Sequence, residues 1–191
     1  MNYYQPSSEN HIDRNIYKTP VDGVLYVKKT VHDDERGFFA EIARIPEIES
    51  ITGEPFSIRQ INHARSKTNV VRGIHAEGWN KLVFVPQGTC FCAIADVRES
   101  SPTYKFVVYF KLGKSDDALK GSLYLPSGVG NSICVLDGPV DYVYGVDRLY
   151  ADRDPAGDAA ISLFDPTLNI EWPIPREQMI LSDRDVNGKM L

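Results

Sequence analysis

From Gly23 onward the chain runs in short bursts of Val, Ile, Leu, Tyr and Phe, most of them bounded by Gly, Pro, Asp or Ser. GVLYVKKTV (23–31), FFAEIARI (38–45), FSIRQINHA (56–64), NVVRGIH (69–75), KLVFVPQG (81–88) and TCFCAIADVR (89–98) have this form. So do TYKFVVYFKL (103–112), GSLYLP (121–126), SICVL (132–136), VDYVYGV (140–146) and AAISLF (159–164). β-Branched and aromatic residues suit a pleated surface, and Gly and Pro punctuate it. About ten short strands at close spacing predict an all-β fold, a sandwich or barrel with few short helices and one interior cavity. Helical pattern is confined to PEIESI (46–51) and part of SDDALK (115–120). Residues 1–19 are polar and aperiodic and read as an N-terminal arm. Residues 20–191 read as one domain.

Gly88 lies between KLVFV and TCFCAIADV and reads as the turn of a hairpin. Lys81 then faces Asp96 or Ile94, and in either register Lys81 and Asp96 project from one face. On a solvated face they form an ordinary cross-strand pair. On an interior face both are buried, must be paired, and become functional candidates.

Composition narrows the partners. Lys and Arg number 21 against 26 Asp and Glu, a net charge of −5, so no general basic footprint for nucleic acid exists. An anionic ligand would have to be held by a few placed Arg and Lys. No apolar run approaches the ~20 residues that span a bilayer, and the first residues lack the pattern of a secretory leader. The three cysteines (Cys90, Cys92, Cys134) do not look like a disulfide framework. The expectation is a cytoplasmic protein without membrane or nucleic-acid partners.

The chemistry-bearing residues are few. The four histidines (His11, His32, His63, His75) show no paired metal spacing. No nucleophile elbow and no Gly-rich phosphate loop occurs. General acid–base chemistry remains, without metal or cofactor. Its densest constellation is VVRGIHAEGWNKLV (70–83), which holds Arg72, His75 and Lys81. Arg72 and His75 are three apart, so a regular strand sends them to opposite faces. Gly73 permits a bulge that re-aims one of them.

Nine segments then occur in a telling order: DERGFFAE (34–41), RQINHARS (59–66), VVRGIH (70–75), KLV (81–83), ADVRESSPTY (95–104), LYLPSGV (123–129), VYGVDRLY (143–150), IEWP (170–173) and LSDRD (181–185). Over roughly residues 22–191 the chain resembles the dTDP-4-dehydrorhamnose 3,5-epimerase family of cupin-type jelly rolls. The resemblance implies a cofactor-independent homodimer acting on a nucleotide sugar. It implies His75 as base, Asp185 as the carboxylate orienting it, Lys81 near the sugar's C4 oxygen with Asp96 as neighbour, and Tyr144 as general acid. It implies Arg72 on the diphosphate, and Gln60 and Asn62 on the nucleotide and sugar-phosphate side. Tyr150 would line the site. Arg36, Phe39 and Glu41 would reach nucleotide bound in the neighbouring subunit.

The physical logic agrees. A proton on carbon beside a ketone leaves only if the enolate is stabilised. Imidazole is well suited to take it near neutral pH. A donor such as Lys81 at the developing oxyanion is worth roughly 10²–10³ in rate. Taken alone, Tyr144 reads as a packing residue and Asp185 as a solvated one.

Three departures from the family pattern stand out. The His75–Lys81 segment is shorter than usual, Asn131 occupies a position commonly held by His, and residues 1–19 have no counterpart. Asn131 cannot titrate there but still hydrogen-bonds to a ligand. The implied activity is epimerisation at C3 and C5 of a nucleotide-activated 4-keto-6-deoxy sugar. The rivals are a C3-only epimerase, a 3,4-ketoisomerase, and a non-catalytic sugar-nucleotide-binding cupin.

Overall fold

The computed structural model describes residues 1–153 and 158–191. Its described residues form twelve strands: β1 (His11–Asp13), β2 (Ile16–Lys18), β3 (Leu25–Lys28), β4 (Thr30–Asp34), β5 (Gly37–Glu41), β6 (Gln60–Ser66), β7 (Val71–Ala76), β8 (Lys81–Asp96), β9 (Val107–Gly113), β10 (Gly121–Leu125), β11 (Val129–Val146) and β12 (Ala159–Ala160). Two short α-helices accompany them, α1 (Ile45–Thr52) and α2 (Asp183–Val186). The expected all-β architecture is present, and PEIESI lies within α1. SDDALK is not helical: it forms a turn, and Leu119 bridges Leu112.

Two strands are much longer than their apolar runs suggest. KLVFV and TCFCAIAD are one 16-residue strand, β8, not a hairpin. SICVL and VDYVYGV likewise merge into the 18-residue β11. The two pair antiparallel from Asp96↔Val129 to Lys81↔Val146, with the register broken between Gln87 and Thr89 on one side and Asp137 and Asp141 on the other. Gly88 has φ +76°, and a Cβ there would lie 2.5 Å from the Pro139 carbonyl oxygen. The glycine absorbs a bend in a strand whose partner bends at the same place, which is why the chain does not reverse there.

Each long strand therefore serves two arms. One arm carries β1, β2, β3 and β10, the first part of β8, the end of β11, and β6. The other carries β9, the end of β8, the start of β11, β7 and β12. The central core packs residues of both arms together: Tyr26, Val83 and Leu123 from the first, Cys92, Ile94, Phe110 and Ile133 from the second. The outer faces are covered too. Ile48 of α1 and Phe56 lie over Leu25, Val27, Leu82 and Tyr124. The segment around Ile161, Leu163 and Leu168 lies over Val71, Phe91 and Cys134. Burial on both faces explains the continuous apolar run in β8.

Residues 1–19 pack against this body. β1 and β2 extend the sheet beyond β3, Tyr4 and Ile16 are buried, and the Tyr4 N–H donates to the Tyr109 carbonyl oxygen at 2.8 Å. A polar stretch with isolated apolar residues has become an edge. His11 thus lies on β1 and His32 on β4. β4 and β5 form a separate two-stranded ribbon that leaves Phe38 and Phe39 exposed.

Because β8 is one strand, Lys81 and Asp96 sit at its opposite ends and do not meet. Asp96 is fully buried and bound locally: Arg98 Nε donates to Oδ1 at 2.8 Å, Arg98 Nη2 to Oδ2 at 2.8 Å and Thr103 Oγ1 to Oδ2 at 2.6 Å. Burial raises its pKa, but the bonds from Arg98, Ser101 and Thr103 prevail and bring it down to about 2. Asp96→Ala should cost about 3–5 kcal/mol in denaturant titrations, since it strands a partly buried guanidinium. The folded-state pKa lies below the unfolded one. The wild type should therefore keep this contribution above about pH 4. It should lose it as the pH falls toward 2.

Candidate active site

Between the two arms lies a cavity of about 210 Å³. β7 supplies one wall. Asn131 pairs with His75 and Ile133 with Arg72, so three steps on β7 span two on β11. This is the bulge that Gly73 makes possible. Gly73 has φ +120°, and a Cβ there would sit 2.5 Å from Ser132 Cβ and 2.6 Å from the Asn131 carbonyl oxygen. No other residue fits. The extra residue breaks the alternation, and both Arg72 and His75 line the cavity.

His75 is held by Asp185. Its Nε2–H donates to Asp185 Oδ1 at 2.8 Å. Asp185 is buried and also accepts from Ser182 Oγ at 2.7 Å and from the Gly73 N–H at 3.2 Å. Ser182 caps α2, so one short helix places the carboxylate. Burial raises the Asp185 pKa, but the bonds from His75, Ser182 and Gly73 outweigh it and hold the carboxyl below its ordinary value. An ionised Asp185 only accepts hydrogen bonds, so it fixes the His75 proton on Nε2 and leaves Nδ1 with its lone pair.

The first arm supplies the other wall. β6 alternates, with Gln60, Asn62 and Ala64 facing the cavity and Ile61, His63 and Arg65 outside. Gln60 Nε2 donates to Asn62 Oδ1 at 2.7 Å, and Gln60 Oε1 accepts the Tyr150 N–H at 2.8 Å. Lys81 and Tyr144 enter from β8 and β11, with Lys81 Nζ 5.2 Å from the centre of the Tyr144 ring. Burial and the nearby Glu77 carboxylate raise the Tyr144 pKa, so its phenol keeps its proton. Tyr142 is buried beside it, and its hydroxyl donates to Asn131 Oδ1 at 3.1 Å.

Of the residues singled out in the sequence, Gln60, Asn62, Arg72, His75, Lys81, Asn131, Tyr144 and Tyr150 line this one cavity. Asp185 backs it through His75. Asp96 does not line it: its expected place beside Lys81 is taken by Glu77, whose carboxylate forms an ion pair with Lys81 Nζ. Arg36, Phe39 and Glu41 lie on the β4–β5 ribbon and are not among the cavity's lining residues. Arg36 pairs with Asp34 at 2.5 Å, and Glu41 pairs with Arg44 at 2.9 Å.

Among the lining residues that escaped the sequence reading are Glu77, Trp79, Tyr142 and Arg184. Arg184 stood next to Asp185 in LSDRD, and Glu77 and Trp79 stood in the shortened loop, so both segments carried a signal. Arg72, Lys81 and Arg184 bring positive charge to a cavity where Glu77 is the acidic lining residue. Among the described residues, no group of three or more His, Cys, Asp or Glu is placed to hold a metal ion.

Comparison with known proteins agrees with this geometry. The family model described as dTDP-4-dehydrorhamnose 3,5-epimerase matches residues 18–191. The dTDP-4-dehydrorhamnose 3,5-epimerase of Shigella flexneri is 34% identical over 179 residues, 92% of this chain and 94% of its own. The dTDP-4-dehydrorhamnose 3-epimerase of Streptomyces niveus is 30% identical over 175 residues, 90% of this chain and 81% of its own. A crystal structure of dTDP-6-deoxy-D-glucose-3,5-epimerase from Legionella pneumophila Philadelphia 1, in complex with dTDP-4-keto-L-rhamnose, superposes with a TM-score of 0.81. It is 32% identical and covers 92% of either chain. With its cupin-type jelly roll and the matches along nearly its whole length, the chain belongs to the dTDP-4-dehydrorhamnose 3,5-epimerase family.

Proposed function

We propose that this chain is an isomerase that converts dTDP-4-dehydro-6-deoxy-D-glucose to dTDP-4-dehydro-L-rhamnose by inverting C3 and C5. The observation that carries this reading is the His75–Asp185 dyad on one wall of a cavity whose other wall presents Lys81 and Tyr144. His75 Nδ1 takes the proton from the carbon beside the C4 ketone. The C–H electron pair becomes the enolate, whose oxygen lies at Lys81. Tyr144 returns a proton to the opposite face, and exchange with solvent then restores His75 and Tyr144. Arg72 takes the diphosphate: its Nε already donates to Ser66 Oγ at 2.9 Å, which fixes the stem of the guanidinium. Gln60, Asn62 and Tyr150 lie on the nucleotide side, and Asn131 presents its amide beside His75.

The protein is further read as a homodimer working in the cytoplasm. Three buried thiols with no disulfide suit a reducing compartment. The exposed Phe38 and Phe39 on a ribbon outside the main sheet suit contact with a second copy. In that dimer Arg36, Phe39 and Glu41 reach nucleotide held by the neighbouring subunit.

Incubation with dTDP-4-dehydro-6-deoxy-D-glucose in D₂O tests the reaction. Deuterons at both C3 and C5, read by mass spectrometry and proton NMR, are the expected result. One deuteron at C3 alone would favour a C3-specific epimerase, the activity named for the Streptomyces niveus relative. No exchange by folded protein would reject both readings. His75→Ala should abolish exchange while the nucleotide sugar still binds, whereas exchange surviving in that variant would remove His75 from the mechanism.

Asp185→Asn should lower kcat by at least about 10²-fold with little change in KM, because the imidazole is then free to take its other tautomer. Asp185 is ionised throughout the neutral range, so the wild type should show no activity step from this group until strongly acid pH. The dimer predicts two-chain mass in sedimentation. It also predicts about a tenfold rise in KM for Phe39→Ala, the size expected when one base loses its stacking partner.

A further inference from the structure

The shortened segment between His75 and Lys81 carries a carboxylate that the acid–base roles above leave unused. Glu77 and Lys81 form an ion pair within the cavity, and both side chains are about nine-tenths buried, at 12% and 9% exposure. Glu77 is the carboxylate that pairs with Lys81 among the described residues. A buried ammonium without a counter-ion is strongly disfavoured, so the pair is what allows a charged lysine to sit there. The same Lys81 nitrogen lies over the Tyr144 ring. Glu77, Lys81 and Tyr144 thus form one contact group on the wall opposite the His75–Asp185 dyad.

We propose that Glu77 is a positioning residue for the reaction, pairing with Lys81 so that its nitrogen is aimed at the substrate oxygen beside Tyr144. The inference rests on the epimerase reading. An ammonium has three N–H groups: with one spent on Glu77, the others remain for the developing enolate. The Glu77 negative charge favours the protonated form of the phenol next to it. The loop that shortens the cavity's mouth therefore also supplies the counter-ion for both proton-bearing groups on this wall.

The other groups around Tyr144 set the background for any pH effect. Arg72 and Arg184 oppose Glu77 by favouring the phenolate, and Tyr150 acts in the same direction as Glu77. Lys81 lies over the ring and Tyr142 packs 6.1 Å away. Replacing Glu77 removes the carboxylate that favours the protonated phenol, so Tyr144 should ionise at lower pH.

Two measurements test the proposal with Glu77→Gln and Glu77→Asp. The first needs no substrate: the Tyr144 phenol is titrated by NMR with ¹³Cζ-labelled tyrosine, assigned with Tyr144→Phe. Its midpoint should fall in Glu77→Gln and stay near the wild-type value in Glu77→Asp. The second is the pH profile of deuterium exchange. Glu77→Gln should lower kcat about tenfold or more, less than the ~10²–10³ expected for losing the donor itself. The basic limb of its profile should move to lower pH. Glu77→Asp should keep the limb and recover part of kcat.

An unmoved Tyr144 midpoint in folded Glu77→Gln overturns the proposal. So does a kcat loss that is equal in both variants with the basic limb in place, which marks a merely structural ion pair. Wild-type protein that fails to exchange deuterium, with the Tyr144 midpoint still dependent on Glu77, would instead remove the epimerase reading and leave the electrostatic coupling standing.

Discussion

The pairing of β8 with β11 is the constraint on which the rest of the molecule depends. It runs from Asp96↔Val129 at one end to Lys81↔Val146 at the other and bends where Gly88 meets the Gly138–Pro139 segment. Because the two strands bend together, each joins both arms of the fold, and the arms face one another. The cavity is what this shared bend encloses. Its walls inherit their chemistry from whichever strands pair outside the ribbon: β7 adds Arg72 and His75, and β6 adds Gln60 and Asn62. Lys81 and Tyr144 come from the ribbon itself, where side chains are fixed by pairing on both edges. Lys81 and Tyr144 are thus each held by strand pairing on both sides.

A single extra residue then decides which groups the cavity receives. Without the bulge at Gly73, strand alternation would send either Arg72 or His75 away from the cavity. The proposed reaction uses both, one for charge and one for proton transfer. The bulge also turns the Gly73 N–H toward Asp185, which accepts it at 3.2 Å while accepting the His75 proton. One distortion thus aims the imidazole and also helps to hold the carboxylate that orients it. The cost of burying Asp185 is offset by three donors, one of them from the residue that caps its own helix.

Much of this was legible in the order of residues. Strand-forming runs predicted the all-β class, and Gly73 between Arg72 and His75 left room for the bulge that the pairing of β7 with β11 shows. The errors share one physical origin. Gly88 and the Gly138–Pro139 pair have the composition of turns, yet here each bends a strand whose partner bends with it. Local composition does not distinguish a reversal from a paired bend. Lys81 and Asp96 were thereby placed together, although they sit at opposite ends of β8. Glu77 went unnoticed because a Glu in a polar loop reads as solvated. Only the closure of the loop over the cavity buries it against Lys81. Tyr4 and Ile16 were likewise lone apolar residues in a polar stretch, and nothing periodic marked them as core.

The charge balance shows how an acidic protein can present a site fit for an anion. The chain carries a net charge of −5, yet Arg72, Lys81 and Arg184 line one cavity whose acidic lining residue is Glu77. Local placement outweighs net charge here, because low-dielectric walls strengthen near charges while solvent and salt screen the distant surface carboxylates. Two of these cations are already held by carboxylates, Lys81 by Glu77 and Arg184 by Asp158. Such pairing reduces the attraction each offers to a ligand. It also keeps the cations charged and aimed before the ligand arrives. Arg72 differs: among the described residues its side-chain partner is the neutral Ser66 hydroxyl, so it keeps more of its positive field for an incoming group. On the proposed reading the strongest anchor for the diphosphate is therefore Arg72, with Lys81 reserved for a charge that develops only as the proton leaves carbon.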